Sequence, residues 1–202
     1  MQIAEMIEAV QRRLQVHVDG RPGAETWGAI YAALVDPGSL GAAPRTAIAA
    51  VDAGSERHIA SLLPEVQPLA RALVQKAAAN GISIRIISGL RSYAEQEALY
   101  ARGRTAPGPR VTNARAGHSN HNFGIAFDAG VFSGNRYLPE SPKYRAVGVL
   151  GMDLGLEWGG NWTSFVDQPH FQLRPAWAAA LPEREMLAAL RRRVAEQLPV
   201  FA

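Results

Sequence analysis

The chain has 202 residues and is 48% hydrophobic, enough for one full core with a small appendage. Charged residues at 19% argue against a disordered chain, and no apolar run is long enough to span a bilayer. A net charge of +3 suits an acidic polymer as partner but is far from that of a dedicated nucleic-acid binder, and the absence of cysteine excludes disulfides and thiolate metal sites.

The first residues, Met1-Gln-Ile-Ala-Glu-Met-Ile-Glu8, lack a basic stretch followed by an apolar one, so no secretory signal is expected. Ile3, Met6, Ile7, Val10 and Leu14 recur at helical spacing. A turn at Val18-Asp-Gly-Arg-Pro-Gly23 leads to a second helical stretch from Glu25 to Leu34, so residues 1–36 read as a helical unit. Residues 37–54 open on turn formers and read as a linker, with Arg45 to Asp52 a poor third helix.

The main unit is expected over residues 55–182. Ile59, Leu62, Leu63, Val66, Leu69, Leu73 and Val74 follow helical spacing, with Pro64 opening the longer helix and Asn80-Gly81 ending it. Ile82-Ser-Ile-Arg-Ile-Ile87 has a strand pattern. Ser92-Tyr-Ala-Glu95 is a capping box, which predicts a helix from Tyr93 to about Ala101. A long loop from Arg102 to Gly117 follows. Ile125 to Val131 reads as a strand, Tyr144 to Leu154 as a helix stopped by Gly155, and His170 to Leu173 as a short strand. The segment 183–202 carries a helix from Glu183 to Leu198. That helix is amphipathic and basic near its end, and it reads as docked on the surface rather than membrane-active.

Two segments carry the chemistry: Ser119-Asn-His-Asn-Phe-Gly-Ile-Ala-Phe-Asp128 and Asp167-Gln-Pro-His170. Together they hold the inventory of a catalytic zinc site: three protein ligands, an open position for water, and a spare carboxylate. His121 and Asp128 are an odd number of residues apart, so a straight strand would turn them to opposite faces. Gly124 between them could supply the bend. Asp167, three residues before His170, is the candidate general base. Spacing alone leaves open that these are ordinary surface or core groups.

Ser119-x-His121-x-x-Gly124-x-Ala126-x-Asp128, followed by Asp167-x-x-His170, resembles the M15 family of zinc peptidases. Ile86 to Gln96 resembles that family's upstream motif. Gly103-Arg-Thr-x-Pro-Gly-x-x-Val-Thr-Asn-Ala114 and Leu156-Glu-Trp-Gly-Gly-x-Trp162 resemble its L-alanyl-D-glutamate branch. The similarity covers roughly residues 55 to 178. It implies that His121, Asp128 and His170 bind zinc, that Asp167 is the acid/base, and that Arg91 steadies the oxyanion. A fixed guanidinium near the metal would share developing negative charge on physical grounds as well. The plain alternative for Arg91 is a surface pair with Glu95 one turn on.

Gln96 either supports the site or caps local backbone. Ser119 either bonds substrate or makes the turn before His121. His118 reads as a loop residue at the cleft edge, while His17 and His58 are not expected to be ligands. Trp162 and Trp158 wall the cleft or pack the core. Arg102, Arg104, Arg110 and Arg115 form either a solvated loop or a rim attracting carboxylates. Ser119, Gln96, His118 and Trp162 are the candidate substrate-binding residues. Val10 to Leu14 with Val18 to Ile30 resembles the peptidoglycan-binding domain 1 family, here truncated, although a helical hairpin with no wall affinity also fits.

The expected fold is α+β, with a small antiparallel sheet carrying a zinc site, flanked by helices. The resemblance makes it hedgehog/D,D-peptidase-like, with a helical N-terminal appendage. The resemblance further implies hydrolysis of an amide of the peptidoglycan stem peptide, the L-Ala–D-Glu bond by the flanking motifs; a monomer is expected. It would act at the bacterial cell wall, in the periplasm or outside the cell. With no signal seen, delivery by a phage holin or other machinery is expected. A D-Ala-D-Ala carboxypeptidase of the same fold is the near alternative. A non-catalytic wall-binding protein with structural zinc is the distant one. No nucleic-acid partner and no transmembrane segment are expected.

Overall fold

The structure, a computed structural model, describes residues 3–14, 16–23, 26–30 and 51–202. The chain divides into two compact units, Met1–Ile48 and Ala49–Ala202. In the first, helix α1 (Ile3–Leu14) precedes a turn at 18–23, and residues 26–30 are helical. Gln11 is buried there; its amide donates to Asp19 and Thr26 and its oxygen accepts from the Asp19 and Gly20 amides, which fixes the turn. The end of the second helical stretch, most of the linker and most of the poor third helix lie outside the described residues.

The second unit is α+β. Helices α2 (Ala53–Ala60) and α3 (Gln67–Ala79) precede strand β1 (Ile84–Ser88) and helix α4 (Tyr93–Ala101). Strands β2 (Ala126–Ser133) and β3 (Arg136–Tyr137) form a hairpin, followed by α5 (Tyr144–Asp153), β4 (Glu157–Trp158), β5 (His170–Gln172) and α6 (Glu183–Ala195). The sheet runs β1-β2-β5-β4, antiparallel throughout, with β3 paired to β2 off that path.

Local signals account for most boundaries. The capping box at Ser92 and Glu95 forms in both directions and starts α4 at Tyr93. Asn80 caps α3, and Gly81, at φ +69°, turns the chain into β1. The apolar run from Ile59 to Val74 forms two helices, and the longer one opens later than Pro64, at Gln67. Pro64 sits in the turn between them, and it is Pro68 that occupies the first turn of α3.

Alternation along the strands divides the sheet into two faces. Ile84, Ile86, Phe127, Ala129, Val131, Trp158 and Phe171 enter the main core against Ile59, Leu73, Tyr144 and Val147 from the helices. Phe127 and Phe171 stack with centroids 5.8 Å apart. A second cluster, Phe123, Ile125, Ala178, Met186, Leu187 and Leu190, holds α6 down. Leu63 and Phe201 pack against both clusters. No helix among the described residues is long and apolar enough to cross a membrane.

Candidate active site

Because Phe127 and Ala129 face the core, Asp128 between them faces away from it. The same rule turns His170 and Gln172 away on either side of Phe171, and Glu157 away beside Trp158. Register sets Asp128 directly across from His170 and Glu157 across from Gln172. His121 arrives differently, from a 3₁₀ turn at Asn120–Phe123 closed by Gly124 at φ +68°. Strand parity therefore never applies to the His121–Asp128 pair, since only Asp128 is on a strand.

The three side chains converge. His121 Nε2 and His170 Nδ1 lie 3.3 and 3.4 Å from Asp128 Oδ1. One donor atom from each residue falls within 4.8 Å of the others. His121 Nδ1 is 2.8 Å from the Gly89 carbonyl, which can only accept. Nδ1 therefore carries the proton, and the Nε2 lone pair faces Asp128. Gly89 is required at this approach, because a Cβ there would sit 2.4 Å from the His58 carbonyl oxygen.

Asp128 Oδ1 is buried and has no hydrogen-bond partner. Such an oxygen facing two imidazole nitrogens is costly unless a cation lies among them. The residues present thus fit a divalent metal held by two nitrogens and one oxygen. In the metal-free protein burial alone would raise the Asp128 carboxyl, yet the positive charge of His121 and His170, when protonated, holds it well below the usual range. Burial opposes charge on His170 too, but without a metal the neighbouring Asp128 carboxylate outweighs it and pushes its pKa up.

Asp167 lines the same cleft, of about 300 Å³. Burial, and then the charge of Asp128, push its carboxyl above the ordinary value against the pull of His170, His121 and Arg91. In the metal-free protein, burial thus makes its carboxylate a stronger base than a free aspartate. Arg91 also lines the cleft, with Nη2 3.6 Å from Asp128 Oδ2. Its guanidinium donates to Gln96 Oε1 at 2.9 Å and to Ser88 Oγ at 3.1 Å. A bulge between Ile86 and Ser88 leaves Ser88 opposite Asp128 and so within that reach. Glu95, the alternative partner for Arg91, accepts instead from the Ser92 amide and hydroxyl.

Of the four candidate substrate contacts, His118, Ser119 and Trp162 line the cleft. The Trp162 ring centroid is 4.9 Å from that of His170. Gln96 stands behind Arg91 rather than facing the cleft: it is fully buried and donates to the Ala114 carbonyl at 2.6 Å. Arg104 and Arg115 hold the long loop together over the Tyr100 ring, and Arg104 also bonds the Tyr100 and Thr112 carbonyls. His17 lies in the first unit, and His58, on α2, does not line the cleft.

Sequence reasoning missed Asn120, Glu157, Gln172, Arg174 and Glu183, which form a polar cluster beside His170. Gln172 could have been found, since it lies two residues after His170 and so on the same strand face. Glu183, on a helix distant in sequence, left no local signal.

A family model described as D-alanyl-D-alanine carboxypeptidase, within the M15 peptidases, matches residues 112–173. The chain is 38% identical over 126 residues to the peptidoglycan L-alanyl-D-glutamate endopeptidase CwlK of Bacillus subtilis (strain 168), covering 56% of this chain and 74% of that protein. It is 28% identical over 118 residues to the L-alanyl-D-glutamate peptidase of Listeria phage A118, covering 57% of this chain and 39% of that one. Among solved structures it is similar to the Serratia marcescens L-Ala D-Glu endopeptidase ChiX, at 25% identity and a TM-score of 0.47, over 60% of this chain and 87% of that one. On the strength of the Bacillus relative and of the motif segment matched by the family model, the chain belongs to the M15 peptidase family.

Proposed function

We propose that the protein is a zinc-dependent peptidoglycan endopeptidase that hydrolyses the L-Ala–D-Glu amide of the stem peptide. The observation that carries this is the convergence of His121, Asp128 and His170 on one unsatisfied carboxylate oxygen, with Asp167 in the same cleft. The choice of bond rests on similarity to the Bacillus endopeptidase.

His121 Nε2, Asp128 Oδ1 and His170 Nδ1 would hold the metal, and two nitrogens with one oxygen suit zinc. Bound there, zinc supplies a Lewis acid for the scissile carbonyl and for water. Asp167 accepts a proton from the water that attacks the amide carbon. It then delivers that proton to the departing amine of D-glutamate, leaving a carboxylate on L-alanine. Arg91, braced by Gln96 and Ser88, offers fixed N–H groups to the oxygen on which charge develops. Trp162, His118 and Ser119 are proposed to contact the stem peptide at the cleft wall.

Mass spectrometry of purified peptidoglycan digested with and without chelator tests the reading. The expected product is a new amino terminus on D-glutamate, made only when metal is present. Loss of a terminal D-alanine alone would move the protein to the carboxypeptidase activity after which the matched family model is described. No metal-dependent product from several wall types would overturn the hydrolase reading.

Residues 1–36 are proposed to help hold the enzyme on the wall. The support is the resemblance of Val10 to Ile30, together with the exposure of Trp27, Ile3 and Met6. Co-sedimentation of Trp27→Ala with peptidoglycan equal to that of the parent chain would remove that support.

A further inference from the structure

Beside His170 lies a closed ring of side-chain hydrogen bonds that takes no direct part in the proposed reaction. Gln172, only 1% exposed, donates through Nε2 to Glu157 Oε2 at 2.6 Å. Glu157 Oε1 accepts from Arg174 Nε. Arg174 Nη2 donates to Glu183 Oε2 at 2.7 Å. Glu183 Oε1 accepts from Asn120 Nδ2, and the same amide donates to Gln172 Oε1 at 2.5 Å, which closes the ring. Four parts of the fold meet in it: the 3₁₀ turn before β2, β4, β5 with the residues just after it, and the start of α6.

The ring has a direction set by chemistry. Carboxylates such as Glu157 and Glu183 only accept, and the Arg174 guanidinium only donates. Gln172 must therefore turn its NH₂ toward Glu157 and its oxygen toward His170. Asn120 must turn its NH₂ toward Glu183, and the buried Asn120 Oδ1 left without a partner is the cost of that orientation. An amide oxygen also only accepts. His170 Nε2, 2.9 Å from Gln172 Oε1, must then carry the ring proton. What remains on His170 is the Nδ1 lone pair, on the side of Asp128.

We infer that this ring is a positioning device. It fixes His170 as the Nε2–H tautomer, so that Nδ1 is free for the metal, and it makes the C-terminal helix a working part of the site through Glu183. The Glu157 carboxylate, acting through Gln172, also makes the imidazole a better donor to the metal. Glu183 lies beyond the segment matched by the family model, which ends at residue 173. The inference rests on the metal-binding half of the proposed function and not on the scissile bond.

Zinc affinity measured by competition with a chromogenic chelator tests it without any wall substrate. Gln172→Leu removes the acceptor for His170 and should weaken zinc binding roughly 10–100-fold. Glu183→Ala opens the ring from the exposed start of α6, where folding is least at risk, and should weaken binding roughly 10-fold. Glu185→Ala makes the same charge change in the same helix turn, outside the ring, and should leave affinity unchanged. In the zinc-loaded parent protein, ¹⁵N NMR of the imidazoles should show the His170 proton on Nε2, exchanging slowly. In Gln172→Leu that proton should exchange fast. A proton on Nδ1, or unchanged zinc affinity in both ring variants, would overturn the inference. Zinc binding that responds to the ring in a protein that cuts no wall would sink the hydrolase reading and leave this one standing.

Discussion

Asp167 carries a cost that its proposed role explains. Its carboxyl is raised by burial and by Asp128, so the charged form is less stable in the fold than in the unfolded chain. For an acid whose folded pKa is raised, this destabilisation is absent below the unfolded pKa and fully present above the folded one. Asp167→Asn removes the charge and keeps the shape. Hydrolysis should fall by roughly 10²–10⁴-fold. The melting temperature of the metal-free protein at neutral pH should hold or rise, and zinc should still bind. A variant that loses zinc along with activity would make Asp167 a ligand instead. At this scale the sequence was informative. His121, Asp128 and His170 meet at one oxygen, and Asp167 and Arg91 share their cleft. The residues that brace His170 could not be read, because Asn120, Glu157 and Glu183 are joined only by tertiary contacts.

Helix α5 shows why some elements were legible and others were not. Tyr144 to Leu154 announced itself by composition and by Gly155, and the helix spans Tyr144–Asp153. Its two internal glycines serve packing. A Cβ at Gly148 would lie 2.3 Å from the Trp158 ring and one at Gly151 2.4 Å from the Phe171 ring. Gly151→Ala should therefore cost about 1–3 kcal/mol through overpacking, despite alanine's better helix propensity, and denaturant unfolding would measure it. The two-residue strands β3 and β4 were invisible, since two residues carry no period. The break between α2 and α3 was misplaced because apolar spacing continues through the Pro64 turn.

Helix α2 adds a pH-dependent element. The Asp52 carboxylate accepts from the Gly54 and Ser55 amides and from the Ser55 hydroxyl. Burial opposes its charge, but the Ser55 and Gly54 bonds, helped by Arg85, keep it below the ordinary 3.8. A depressed folded pKa gives stability that is complete above the unfolded value and lost as pH falls through the folded one. Asp52→Asn should flatten that acid limb when stability is followed from pH 5 down to about 2. An unchanged limb would assign acid loss to other carboxylates. Asp52 is exposed to solvent, so the effect should be small.

Across the whole second unit, the sheet separates two tasks. One face supplies Phe127, Phe171 and Trp158 to the core, and the other supplies Asp128, His170, Gln172 and Glu157 to the site. Leu63 and Phe201 touch both the main core and the smaller cluster under α6 and so join the two apolar clusters. The Phe201 segment is strapped in place: Trp177 Nε1 donates to the Val200 carbonyl at 2.8 Å, and Arg193 donates to the Pro199 and Ala202 carbonyls. Shared residues of this kind make two clusters melt together. A calorimetric scan of the second unit should therefore show one endotherm, and Phe201→Ala should broaden or split it. α6 would then loosen at lower temperature than β2, and Glu183 with it. The same strap has a practical side: it holds the indole N–H of Trp177, so loosening of the segment can be read by tryptophan fluorescence.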